Sequence, residues 1–324
     1  MNLSIIIPVY NNEKYIESCI KSILTSEVDK NKVEIIVVDD GSTDNSRLIC
    51  DKYVNENFKI YSNSNHGVSY SRNFGISVSS GEFIMFVDSD DELSSDWYGK
   101  ASKYFDSEDD IIVFSKDINR IPGEKKEVLD NIVGIDNFIG YLSSPWSKFY
   151  RRTFLEKKGI KFYEDVINGE DMLFNVKCFL ETDKYTFVRS SIYKYRIHAT
   201  SSTKKFDVNF IKYDLNFQKK LLETLSSGKI RDEQILIITS FCKKNSLIII
   251  AQRLCYSGRY KIFKENKYIF EEYFKKYNSK VNLGIRKETI ILLLRCKMYF
   301  LTYFILRMIK KLKKDNKTSY FVEI

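Results

Sequence analysis

Residues 83–91 read Phe-Ile-Met-Phe-Val-Asp-Ser-Asp-Asp, an apolar run that ends in three carboxylates within four positions. A short apolar run bounded by turn residues predicts a buried strand. The same arrangement stands upstream. Val33–Val38 (VEIIVV) runs into Asp39-Asp40-Gly41-Ser42, and Leu3–Val9 (LSIIIPV) runs into Tyr10-Asn11-Asn12. Between these runs the period changes. Tyr15, Ile16, Cys19, Ile20, Ile23 and Leu24 recur at helical spacing, Thr43–Val54 is helix-like, and Val68–Ser79 reads as a helix closed by Gly81. Strands that alternate with helices, and are apolar throughout, predict an α/β fold with a mainly parallel sheet flanked by helices. Such sheets bind ligands outside the carboxyl ends of their strands. The acids at 39–40 and 88–91 both fall there, so two strand ends can place carboxylates in one crevice.

Further along, Phe58–Tyr61 and Ile111–Ser115 read as strands, and 123–141 as room for a short helix. Trp146–Leu155 and Gly169–Leu180 read as loop followed by helix. Beyond Phe206 the pattern is helical and rich in lysine. The expected division is 1–205 for an α/β catalytic domain and 206–324 for a helical C-terminal region.

Composition narrows the class. The 324 residues are 44% hydrophobic and 29% charged, with three prolines and thirteen glycines, which describes a chain with a real core and not a low-complexity one. The net charge of +9 is unevenly spread: Lys310, Lys311, Lys313, Lys314 and Lys317 crowd the end, while the first hundred residues are rich in aspartate. A localised basic tail suits a membrane surface better than nucleic acid. The six scattered cysteines form no CxxC pair and read as reduced core residues. No signal-peptide pattern is visible at the N-terminus. The expectation is cytoplasmic chemistry.

The acids carry that chemistry. Asp88-Ser89-Asp90-Asp91 suits a hard divalent cation, since Mg²⁺ binds through one or two carboxylates plus substrate phosphates. It equally suits a solvated turn with capping aspartates. Asp39 and Asp40 could accept hydrogen bonds from a base or ribose, or simply cap a turn.

Five segments in order resemble glycosyltransferase family two, with its GT-A fold. They are Pro8-Val9-Tyr10-Asn11, VVDDGSTD (37–44), NHGVSYSRNFGISVSSGEFIMFVDSDDEL (65–93), Pro145–Arg152, which looks like the family's W-N-K-L-Y-R-R element with serine for asparagine, and Asn168–Phe174, which looks like G-E-D-x-x-F. The resemblance covers about residues 1–205. It implies an α/β GT-A domain that binds a nucleotide-sugar, with uracil as the expected base. It implies that Pro8 and Tyr10 lie by the base and that Asp39 and Asp40 hydrogen-bond the base or ribose. Arg72 would contact the nucleotide or donor sugar. Asp88, Ser89 and Asp90 would form the acidic motif, with Asp90 as first choice for direct contact to Mn²⁺ or Mg²⁺ and Asp88 beside it. Asp171 would be the general base, Glu170 would shape the acceptor pocket, and Trp146 would face the sugars. His198 would approach the metal or diphosphate, although a lone histidine is more often structural.

Those roles make chemical sense together. Positive charge stabilises the departing nucleoside diphosphate, while a carboxylate near the acceptor hydroxyl takes its proton. A base on the face opposite the leaving group gives inversion, as in inverting glycoside hydrolysis. Glu170-Asp171 could also be a helix N-terminus that favours negative charge. The implied acceptor is a glycan or lipid-linked oligosaccharide of a bacterial capsule or exopolysaccharide.

A metal-dependent nucleotidyltransferase would also pair aspartates, but needs a glycine-rich basic signature where Pro8-Val9-Tyr10-Asn11 stands. A non-catalytic sugar-nucleotide-binding module would be expected to have lost the acids at 88–91 or 171, which are present. A dehydrogenase would need GxGxxG after the first strand, which is absent. In the tail, Leu294, Met298, Leu301, Ile305, Met308, Ile309 and Leu312 project onto one stripe, and Lys297, Arg307, Lys310, Lys311 and Lys314 onto the other. This predicts an amphipathic helix that lies on anionic lipid at the inner face of the membrane, or else packs on the domain. The helices beyond 206 could also pair two chains.

Overall fold

The isoleucine-rich run Leu3–Val9 forms β1, buried at every position, and takes the middle of a sheet of seven strands. Its neighbours are β2 (Val33–Asp39) and β4 (Phe83–Phe86), both parallel to it, with β3 (Phe58–Ser62) parallel to β2 at the edge. Beyond β4 the sheet continues through β7 (Lys148–Arg151), β6 (Ile111–Phe114) and β8 (Tyr185–Val188), with β7 antiparallel to both its neighbours and β8 parallel to β6. In this computed structural model the described residues are 1–24, 28–197, 209–256, 260–275, 281–312 and 320–323.

Helices α1 (Ile16–Ile23), α2 (Ser46–Asp51) and α3 (Val68–Val78) follow the first three strands. α1 buries Ile16, Cys19, Ile20 and Ile23, the spacing expected of one helical face. α3 lies tight on β1: a Cβ at Gly75 would stand 2.4 Å from Ile6 Cγ2, so only glycine permits that approach. Pairing between β1 and β4 stops at Ile6–Phe86. Pro8 has no N–H with which to prolong it, and the two strand ends are left apart at the face where the acids lie.

Two departures from the sequence reading come from short elements. Lys148–Arg151 is a buried strand, not a loop, and the helix α6 (Arg152–Lys158) begins directly after it. Four residues are too few for periodicity to distinguish. A second, three-stranded sheet joins β5 (Glu92–Leu93), β9 (Tyr193–Ile197) and β10 (Tyr320–Glu323), all antiparallel. The remaining helices of this part are α4 (Trp97–Ala101), α5 (Lys125–Val133) and α7 (Glu170–Glu181).

The chain divides into two units, Met1–Ile197 with Ser319–Ile324, and His198–Thr318. The final strand therefore belongs with the sheet unit and not with the helical region in which the sequence reading placed it. The second unit holds α8 (Phe210–Ser227), α9 (Asp232–Tyr256), α10 (Tyr260–Glu265), α11 (Lys267–Lys275), α12 (Ile285–Arg295) and α13 (Tyr299–Leu312). Its core gathers Leu247, Ala251 and Leu254 of α9 with Phe263, Phe270, Leu294 and Leu306. Within α9, Asp232–Cys255 is long and apolar enough to cross a membrane by length and composition, yet 67% of its apolar window is buried inside the protein.

α13 corrects the expected stripe. Tyr299, Thr302 and Leu306 face the core, whereas Leu301 and Met308 of the predicted stripe are exposed beside Phe300 and Phe304. Lys313, Lys314 and Lys317 lie outside the described residues, and so does His198.

Candidate active site

The loops after β1 and β2 are stitched together by side chains that the turn sequences supply. Asn11, at φ 49°, accepts hydrogen bonds through Oδ1 from Thr43 N at 2.7 Å and Thr43 Oγ1 at 3.2 Å. Ser46 Oγ accepts from Asn12 N at 2.7 Å, and Asp44 Oδ2 accepts from Glu13 N at 3.0 Å. Asn12 in turn donates to Ser89 Oγ at 2.7 Å, which ties this double loop to the end of β4. Tyr10 stands at the rim, 48% exposed, while Pro8 is buried in β1.

The carboxylates at the end of β2 have work within the protein. Asp39 Oδ1 accepts from Ser42 N at 3.1 Å and closes the turn around Gly41. Asp40 accepts from His66 N at 2.8 Å through one oxygen and from Gly67 N at 2.7 Å through the other. It thereby anchors the chain entering α3.

α3 delivers the central group. Arg72 is 3% exposed, and its guanidinium donates to Asp88 Oδ1 at 2.9 Å and to Asp171 Oδ1 at 2.7 Å. It also lies over the Phe162 ring at 5.2 Å. Burial alone would favour a neutral guanidine, but Asp171, Asp88 and Glu170 outweigh it and hold the cation firmly. Its Nε is buried without a partner among the described residues. Residues 72, 88 and 171, far apart in sequence, thus meet at one point.

The rest of the acidic motif divides in two. Asp91 is fully buried and accepts from Tyr193 Oη and from Arg196 N, both at 2.7 Å. Burial lifts its carboxyl to about 8, with repulsion from Asp88 and Asp90 adding to it. Asp91 is thus a structural strut. Arg196 also donates to Asp90 O at 2.8 Å and to Glu92 at 2.7 Å, so it fixes the backbone that presents Asp90. Burial raises Asp88 as well, Arg72 opposing and Asp171 and Asp90 adding to the rise. Two carboxylates, with substrate phosphates completing the shell, suit Mg²⁺ or Mn²⁺.

Asp171 sits in the first turn of α7, where exposed N–H groups favour negative charge. Its Oδ1 is committed to Arg72, which leaves Oδ2 for a substrate. Burial lifts neighbouring Glu170 to about 7, Asp171 adding and Arg72 opposing. One turn on, Asn175 donates to the Asp171 carbonyl at 3.0 Å and to the Ser143 carbonyl at 2.9 Å, and accepts from Tyr150 Oη at 2.8 Å. Trp146, expected to face sugars, is 4% exposed and stacks on Tyr193 at 4.7 Å. Its place is under the site, as support.

The sequence reading gave no role of their own to Arg196, Tyr193 or Lys148. Lys148 is 2% exposed and its ammonium donates to the carbonyls of Ser144 at 2.6 Å, Tyr141 at 3.4 Å and Trp146 at 3.4 Å. Burial lowers it to about 7, against the pull of Asp171. Its place as the lysine of the W-N-K-L-Y-R-R-like segment, beside the apolar Phe149-Tyr150, was the signal available for it.

A family model described as Glycosyl transferase family 2 matches residues 4–168. The chain is 32% identical over 203 residues to the poly(ribitol-phosphate) beta-N-acetylglucosaminyltransferase TarS of Staphylococcus aureus (strain MW2), a match that spans 60% of this chain and 35% of that protein. It is 29% identical over 283 residues to the glycosyltransferase YibD of Escherichia coli (strain K12), covering 79% of each. Among solved structures, residues 1–349 of S. aureus TarS with UDP-GlcNAc superpose with a TM-score of 0.66 at 20% identity, over 99% of this chain and 97% of that one. The fold is the GT-A fold that the sequence motifs implied. The chain spans about a third of the length of the TarS proteins it matches in sequence.

Proposed function

This chain belongs to glycosyl transferase family 2, and we propose that it transfers a sugar, with inversion, from a UDP-sugar to a hydroxyl of a glycan or lipid-linked oligosaccharide in bacterial surface polysaccharide synthesis. The observation that carries the reading is the Arg72 bridge between Asp88 and Asp171 at the carboxyl ends of the strands. It places a cation, an acidic motif and a helix-terminal carboxylate in one small volume. Relatives named as poly(ribitol-phosphate) glycosyltransferases support the same class.

In this reading Tyr10, Asp39 and Asp40 form the nucleotide end of the site. Arg72 holds its positive charge against Asp88 and Asp171 and so orients both carboxylates. Asp88 and Asp90 would hold a divalent cation, which would supply positive charge to the leaving nucleoside diphosphate. Asp171, oriented by Arg72 through Oδ1, takes the acceptor proton on Oδ2. Glu170 borders the acceptor, and its raised carboxyl keeps a proton nearer to neutrality than a free glutamate would. The test is a screen of UDP-, GDP- and dTDP-sugars with and without Mn²⁺, with the anomeric configuration of the product read by NMR. Failure to bind or consume any nucleotide-sugar would defeat the reading, and a retained configuration would defeat its stereochemistry.

The exposed face of α13 supports peripheral contact with anionic membrane from the cytoplasmic side. Phe300 is 66% exposed, Phe304 53% and Met308 51%, with Lys297 and Arg307 on the same helix or at its start. Apolar side chains flanked by cations suit an anionic lipid surface.

A further inference from the structure

Next to Asp171 lies a cavity of about 550 Å³, within the range of about 300–1,000 Å³ usual for small-molecule sites. Its walls are the turn at 117–119, the end of α5 and the segment 137–143, and Met172, the residue after Asp171, also lines it. The bond pattern joins it to the chemistry. Asn175 donates both to the Ser143 carbonyl in the wall and to the Asp171 carbonyl, so cavity and base share one rigid turn.

The wall is built and not merely left over. Asn131 fixes it from behind, with Oδ1 accepting from Ile139 N at 2.9 Å and Nδ2 donating to Ile139 O at 3.1 Å. Lys148 clamps the carbonyls of Tyr141 and Ser144. Tyr141 is held at φ 58°, an unfavourable backbone for a bulky residue that the surroundings must enforce. Its ring is 40% exposed and leans on Trp146 at 5.3 Å.

The lining has a definite chemical character. Asn119, Asn137 and Asp117 are exposed there, and their side chains make no bond to the protein among the described residues. Among the described residues no lysine or arginine lines the cavity. The cations next to it along the chain are both paired: Lys116 reaches Glu323 at 3.9 Å, and Arg120 is paired with Glu127 at 2.7 Å and laid over Phe138 at 4.5 Å. Carboxamides both donate and accept, as sugar hydroxyls do, and a tyrosine face accepts the apolar side of a sugar ring. Among the described lining residues a phosphate would meet one carboxylate and no cation.

We propose that this cavity is an acceptor subsite for an uncharged sugar unit and that it disfavours phosphorylated acceptors. The inference rests on the glycosyltransferase reading for the word acceptor, and its test separates the two. Saturation-transfer NMR on the full chain is run with a panel of neutral methyl glycosides, and with ribitol phosphate and glycerol phosphate as anionic probes. UDP binding is measured in parallel by calorimetry. At least one neutral glycoside should bind and the polyol phosphates should not. Asn119→Ala/Asn137→Ala should weaken glycoside binding about tenfold, two neutral hydrogen bonds being lost, while UDP affinity stays as in the parent. Asn137→Lys should create binding of the polyol phosphates. Equal or better binding of the anionic probes by the parent, no binding of any neutral glycoside, or indifference to the double substitution would overturn the proposal. Absence of UDP binding would strike the glycosyltransferase reading instead, leaving the sugar site to stand or fall on the NMR result.

Discussion

Arg72 is the residue on which the site turns. A lysine in its place cannot donate along two directions from one planar group, so Arg72→Lys should lower kcat about a hundredfold, as loss of a preorganised donor does. Steady-state kinetics would show this with UDP binding retained, whereas loss of folding would abolish both. Asp171→Asn should reduce transfer by about 10²–10⁴ as the loss of a general base does, and leave calorimetric UDP affinity within a few-fold, because the base acts on the acceptor. Asp90→Asn should remove the metal response; full activity of that variant in EDTA would exclude a metal role for Asp90. Glu170 gives a pH signature. Its carboxyl stands at about 7 in the folded chain against an ordinary 4.5, so the native state holds the proton more tightly than the unfolded chain. The stability it contributes is present below the ordinary value and is lost as pH rises through about 7. Glu170→Gln should therefore flatten the decline of Tm between about pH 5 and 8, and an unchanged Tm profile would refute the raised carboxyl.

At the scale of elements, the contact of α3 with β1 decides whether Arg72 reaches its partners. Gly75→Ala adds a methyl whose carbon would fall 2.4 Å from Ile6 Cγ2. The helix gains about 1 kcal/mol in propensity, but overpacking costs about 1–3 kcal/mol. The net expectation is a lower urea midpoint together with reduced kcat, since α3 must shift and carry Arg72 with it. A midpoint above that of the parent would show that Ile6 yields and that the approach is loose. The helix α3 itself was legible from its spacing. Its tilt against the sheet was not, because Gly75 reads in sequence only as a poor helix former.

For the whole molecule, α13 separates burial from display. Leu306 is fully buried, and Leu306→Ala should cost about 2–5 kcal/mol of stability. Phe300→Ser/Phe304→Ser changes two exposed rings, so stability should move by only about 0.5 kcal/mol at each. Flotation with anionic liposomes should then lose the double variant and keep the parent, with salt weakening the parent's binding in part because it screens charge and not apolar contact. Parent protein that fails to float at low salt would reject the membrane reading. Truncation from residue 289 is a poor probe, since it removes the buried Leu294 and Leu306 together with the exposed face.

The sequence alone determined the β1–α1–β2–α2–β3–α3–β4 order, since apolar runs and helical spacing are local patterns of period and length. It also placed the acids at strand ends, where parallel sheets bind ligands, and its ordered motifs carried the family. Only tertiary structure decided that Arg72 binds Asp88 and Asp171, that Asp91 is a strut held by Tyr193 and Arg196, and that Trp146 lies beneath the site. Only it decided that Lys148–Arg151 is a strand and that the final residues pair with β9. These are contacts between segments up to about a hundred residues or more apart. A carboxylate, a lysine or a four-residue run has the same local signature whether solvent or another segment faces it, and which of the two it meets is settled by packing.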